Sequence, residues 1–186
     1  MTEVSSLTGR LLVATPALAD PNFDRAVVLL LDHDDEGTLG VVLNRPTPVD
    51  VRDILESWAT LAGEPGVVFQ GGPVSLDSAL GVAVIPGDEG PLGWRRVYGA
   101  IGLVDLEAPP EIVGAALGSL RIFAGYAGWG PGQLESELNE GAWYVVESEP
   151  GDVSSPRPEQ LWRAVLRRQR SELAMFATYP DDPLLN

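Results

Sequence analysis

The chain has 186 residues, 45% of them hydrophobic, which is enough for one ordinary domain with a real core, so residues 1–186 are read as a single domain. It has no cysteine and one histidine, which excludes disulfides, thiol catalysis and thiolate metal sites and leaves no zinc ligand set. The formal net charge is −15 and all 12 basic residues are arginine, which excludes lysine chemistry and argues against direct nucleic-acid binding.

Near the N-terminus, LLVATPALA (11–19) imitates the end of a signal peptide. Pro16 breaks its apolar stretch, and Glu3 stands where positive charge is expected. The longest apolar run, 26–31, is too short to span a bilayer. The expected location is the cytoplasm.

Residues 10–15 read as a strand. The runs 25–32 and 38–44 bracket DHDDEG and read as a hairpin, apolar enough for burial on both faces. Asp32, Asp34, Glu36 and Gly37 imitate a calcium loop, but its twelfth position is Leu43 rather than Glu. An acidic hairpin tip is the simpler reading, and no metal is expected. His33 shows no partner in sequence and reads as structural or surface.

Asn44, Arg45 and Pro46 end the second run. Proline holds Arg45 extended, so its guanidinium projects from the sheet edge toward a carboxylate or phosphate, or into an internal ion pair. Asp50 suits the cap of a helix over 51–62, with Ile54, Leu55, Trp58 and Leu61 on one face. Strands follow at 66–70, 79–85 and 94–104. Gly71 and Gly72 after the first of these permit a sharp turn or a close backbone approach.

A second helix is expected over 110–119 and a strand over 120–126. GYAGWGPGQLESELNEGAW (125–143) comes next. It matches neither a phosphate loop nor a dinucleotide fingerprint, and Glu135 and Glu137 already occupy the helix N-terminal field. It reads as a tight strand-to-helix corner made by Gly128, Gly130 and Gly132, with Trp129 in the core and a helix over 131–139. A strand over 142–147 and a polar stretch over 149–158 precede the last helix. There Arg163, Arg167 and Arg170, with Arg168 beside them, read as a solvated basic face, and Leu161, Trp162, Val165, Leu166 and Leu173 as the apolar one. The order of elements gives an α+β or layered α/β class.

Three blocks together resemble the AlgH/YqgE family of bacterial proteins: 14–46 (ATPALADPNFDRAVVLLLDHDDEGTLGVVLNRP), 69–74 (FQGGPV) and 125–143. The resemblance covers essentially the whole chain. It implies a cytoplasmic α+β domain with a mixed, partly barrel-like sheet flanked by helices, an indirect link to transcriptional control, and no established reaction or cofactor. The family pattern covers Phe23, Arg25, His33, Gly37, Gly40, Asn44, Arg45, Pro46, Gly71, Gly72, Pro73, Trp129, Gly132, Gln133, Leu134 and Glu135. Of these, His33, Asn44, Arg45, Gly71, Gly72, Trp129, Gly132, Gln133 and Glu135 form the candidate ligand or partner surface; none carries an assigned catalytic role. The chain departs from related ones at Leu31, where some carry cysteine, and at Ser78, Val82 and Ala83, where an Arg and a Leu-His pair are common. The reading is therefore a non-catalytic regulatory or binding protein, with a protein as its candidate partner and with no direct contact to nucleic acid or membrane. The alternative is a small-molecule binder or enzyme with a site at strand ends near Asn44, Arg45, Gly71, Gly72 and Trp129.

Overall fold

The computed structural model describes residues 6–16, 18, 20–169, 175 and 177. Glu3, Arg170 and Leu173 therefore lie outside the described residues. Strand β1 (Leu11–Ala14) sits between β2 (Val27–Asp34) and β10 (Trp143–Val146), antiparallel to both. All four of its residues are completely buried. Side chains alternate across a strand, so Leu11 and Val13 enter one core cluster while Leu12 and Ala14 enter another on the opposite face. The stretch that imitates a signal peptide thus supplies a central strand covered on both sides.

β2 turns at 35–36 into β3 (Gly37–Val42), forming the expected hairpin. β3 pairs with the far end of the long strand β9 (Ser119–Trp129). β9 also pairs antiparallel with β6 (Val74–Val84) and parallel with β5 (Val67–Gln70). β6 leads to β8 (Ile101–Val104) and the edge strand β7 (Trp94–Tyr98), while β4 (Pro46–Asp50) pairs only with β5. The result is one ten-stranded, mixed, mainly antiparallel sheet that curls into a half-barrel, an α+β fold. One side packs against α5 (Leu161–Arg167) through Leu161, Trp162, Val165 and Leu166. The other carries α3 (Gln133–Asn139) through Leu134. A third cluster gathers Val51, Trp58 and Val113 under β6, β8 and β9. Among the described residues no helix is long and apolar enough to cross a membrane.

Several elements depart from the sequence expectation. Asp50 does cap a helix, its carboxylate accepting from Arg52 N–H at 2.8 Å. That helix, α1 (Val51–Ile54), ends after one turn and passes into a 3-10 turn (Glu56–Trp58). Trp58 is buried but Ile54 is 54% exposed, so the four apolar residues do not share one face. The span 94–104 is two strands, because Gly99 at φ 57° turns the chain between them. The helix over 110–119 shrinks to α2 (Pro110–Gly114), since the chain must already be extended at Ser119 to pair with Val84. β6 begins earlier than expected, at Val74. β4 holds Pro46 and Pro48 and gives no strand signal, yet an edge position tolerates the missing N–H groups. The polar stretch 149–158 contains a short helix, α4 (Pro150–Val153), with a capping box between Glu149 and Asp152.

The basic face of the last helix is also only partly solvated. Arg168 donates to both carboxylate oxygens of Asp152, at 2.6 and 2.7 Å, and Asp152 is buried. This pair fastens α5 to α4 and holds Arg168 above its ordinary pKa, chiefly through that hydrogen bond.

Candidate functional site

His33 follows the apolar run of β2 and is buried. Its Nδ1 accepts the Leu7 backbone N–H at 2.9 Å, so that nitrogen carries no proton. Nε2 therefore donates to Glu135 Oε1 at 2.8 Å. The hydrogen bond from His33 is the main reason the Glu135 carboxyl titrates below its ordinary value. This contact ties the β2–β3 hairpin to α3. It offers no accessible base, because the His33 side chain is only 3% exposed.

The glycine corner is tighter than the sequence implies. β9 runs straight through Gly128 to Trp129, and the turn is confined to 130–132. Gly132 takes the left-handed conformation, φ 73°, at the N-cap of α3, where a side chain would be strained. Gln133 Oε1 accepts the Gly130 N–H at 3.0 Å and locks the loop. Trp129 is 5% exposed and packs with Phe23 and Trp143 at centroid distances of 6.2 and 6.1 Å. Both indole N–H groups donate to Glu137 Oε1, at 3.1 and 2.9 Å, and Gln133 donates to its other oxygen. Glu137, which the sequence places only in the helix N-terminal field, organises the cluster.

Gly71 and Gly72 mark a backbone crossing. Gly71 N–H donates to Ala124 O and Val42 N–H to Gly71 O, both at 2.8 Å. A Cβ on Gly71 would lie 2.4 Å from Gly125 O, and one on Gly72 would lie 2.2 Å from Tyr126 C and O. The glycines are there so that three main chains can meet without side chains between them.

Asn44 is a bracket for the opposite end of the hairpin. Its Oδ1 accepts from Val27 N–H at 3.0 Å and its Nδ2 donates to Arg25 O at 2.9 Å. Arg25 is thereby held at φ 54°, a conformation unusual for a residue with a side chain. Its guanidinium lies over the Trp162 ring, 4.8 Å from the centroid. Arg45 donates to the Asp24 carbonyl. Burial lowers the Arg45 pKa, and the nearby Asp24 charge raises it in part.

The three blocks meet around β3 and β9 but open onto two separate surfaces. One is a groove of about 470 Å³ lined by Asp32, Asp34, Glu36, Thr38, Leu39, Val74, Tyr126, Gly128 and Trp129. Leu39 is 44% and Val74 37% exposed. The other lies around Arg45, which lines two clefts. The smaller, about 70 Å³, includes Asn22, Gln70, Gly72 and Pro73; the larger, about 240 Å³, includes Arg25, Asn44, Trp162 and Arg163. Arg163 belongs to the last helix, which sequence reasoning set apart from the strand-end residues; only the chain's return past β1 brings it here. Leu31, Val82 and Ala83 are buried aliphatic residues. Among the described residues no three His, Asp or Glu side chains could hold a metal ion together.

Residues 11–174 match the DUF179 family, described as AlgH-like. A UPF0301 protein of Streptomyces avermitilis is 87% identical over 100% of this chain and 98% of its own length. A UPF0301 protein of Mycobacterium tuberculosis is 46% identical over 94% of this chain and 88% of its own. Among solved structures, a Corynebacterium diphtheriae protein superposes with a TM-score of 0.89 at 31% identity, covering 96% of this chain and 95% of that one. The solution structure of the AlgH protein of Pseudomonas aeruginosa follows the same fold, with a TM-score of 0.68 at 26% identity over 98% of this chain and 100% of that one.

Proposed function

The chain belongs to the AlgH-like family, and we propose that it works as a non-catalytic binding protein that docks a basic, apolar segment of a protein partner in the acid-rimmed groove. The groove itself carries this reading. Gly128 pairs with Leu39 and leaves its floor open between the Leu39 and Tyr126 side chains. Leu39 and Val74 give apolar walls, and Asp32, Asp34 and Glu36 give an anionic rim. Exposed apolar area bounded by charge of one sign suits a partner of the opposite sign. A second copy would bring another −15 of charge and be repelled.

The polar side chains of the family blocks support binding over catalysis. His33 and Asn44 are buried and bonded internally, and Glu135 is engaged by His33. In this reading the protein acts in the cytoplasm, and any regulatory effect on transcription runs through the partner rather than through DNA.

Panning phage-displayed random peptides on the full chain tests the proposal. Enriched sequences should combine Arg or Lys with apolar residues, and their affinity should fall by about tenfold or more, ~1.4 kcal/mol, in Leu39→Lys. Enrichment of acidic peptides, or unchanged binding by Leu39→Lys, would overturn it.

A further inference from the structure

The larger cleft at Arg45 is independent of the groove and has a different chemistry. Six side chains form its charged and aromatic wall: Asp24, Arg25, Arg45, Glu159, Trp162 and Arg163. Three of the chain's 12 arginines therefore converge on one concavity, against two carboxylates, in a protein whose net charge is −15.

The cleft is built, not incidental. Asn44 donates to Arg25 O and accepts from Val27 N–H, bracketing Arg25, whose backbone is left-handed and whose guanidinium lies over Trp162. Strain of this kind persists only where surrounding contacts impose it, and it gathers at ligand sites. Trp162 is itself pinned, its Nε1–H donating to Ala14 O at 2.9 Å. Arg163 stands 5.8 Å from the same ring and donates to Ala177 O at 2.6 Å. Arg45 completes the wall. A guanidinium has five N–H donors, yet among the described residues Arg45 makes one hydrogen bond, to the Asp24 main-chain carbonyl. Arg45 lines both clefts, and burial lowers its pKa. A partly desolvated fork with unused donors is suited to an oxyanion, which it can grip through two parallel hydrogen bonds.

We propose that this cleft is a binding site for a small oxyanion, a phosphate or carboxylate compound, gripped by Arg45 with Arg25 and Arg163 around it. Size limits the class. A cleft of about 240 Å³ admits a free phosphate or a small organic acid.

Calorimetric titration of the full chain with inorganic phosphate and, separately, citrate tests the site, at constant ionic strength set with chloride. Saturable one-to-one binding at millimolar concentration or below is expected for at least one of them, and which one binds distinguishes phosphate from carboxylate recognition. Arg45→Gln should weaken that binding by about tenfold or more, while Arg95→Gln, on the exposed edge strand, should change it less than about twofold. Arg45→Lys keeps the charge but loses the fork, so it should still bind several-fold more weakly than the wild type. That variant also serves if Arg45→Gln fails to fold, as judged by its thermal melt. No saturation with either anion, an equal loss in Arg95→Gln, or wild-type binding by Arg45→Lys would overturn the proposal.

Discussion

Replacing Trp129 with alanine tests whether the glycine corner is a packed core or an open site. The side chain is 5% exposed, stacks on Phe23 and meets Trp143 edge-on. Two ring contacts contribute roughly 0.5–1.5 kcal/mol each, and the hydrogen bond to the Glu137 carboxylate about 1.5–3 kcal/mol. Their sum brackets the ~3–5 kcal/mol that large aromatic-to-alanine changes cost in cores. Urea unfolding should show this loss as a lower midpoint with an unchanged slope. The melting temperature should fall by roughly 6–20 °C for a chain of this size. Trp129→Phe keeps most of the ring packing and drops the donor, so it should lose only about 1–3 kcal/mol. A loss below ~1 kcal/mol for Trp129→Ala, the scale of surface substitutions, would refute the core assignment.

Three further outcomes are expected. Gly72→Ala places a methyl group 2.2 Å from the Tyr126 main chain and should cost about 1–3 kcal/mol or more in a urea melt, whereas Gly66→Ala, with nothing within 4 Å, should be neutral or slightly stabilising. Asp152→Ala leaves Arg168 without its bidentate partner and uncaps α4, so denaturant unfolding should register a loss of about 3 kcal/mol. Glu135 has a depressed folded-state pKa, so its stabilising contribution is complete above its unfolded pKa of ~4.3 and is lost as pH falls through the folded value. The stability advantage of the wild type over Glu135→Gln should therefore vanish in acid, and it should not exceed about 1 kcal/mol at neutral pH, because that carboxylate is half exposed. An advantage that persists unchanged to low pH would refute this account.

The amino-acid sequence by itself determined the features set by neighbours a few residues apart. Unbroken apolar runs mark β1 and β2 as buried strands, the acidic turn closes the β2–β3 hairpin, Asp50 caps α1, and the glycines before Gln133 mark the corner into α3, although that helix starts at 133 rather than 131. Each follows from local periodicity or from one residue's backbone freedom. The three family blocks also carry the α+β class, through resemblance. Tertiary structure decided everything that depends on contacts across the chain. β4 is a strand, despite two prolines, because β5 is beside it. The helix beginning at Pro110 stops early because β9 must pair with β6, and the chain crossing at Gly125 and Tyr126 leaves no room for a side chain at Gly71 or Gly72. His33 reaches Glu135 across 102 positions of sequence, and Trp162 reaches Ala14 across 148. No local pattern encodes such partners, since a buried donor takes whichever acceptor the global packing brings to it. For the same reason only part of the two concavities is legible in the sequence: Asn44 and Arg45 stand out as strand-end candidates, but their meeting with Trp162 and Arg163, and that of Leu39 with Val74 and Gly128, depends on how the chain packs.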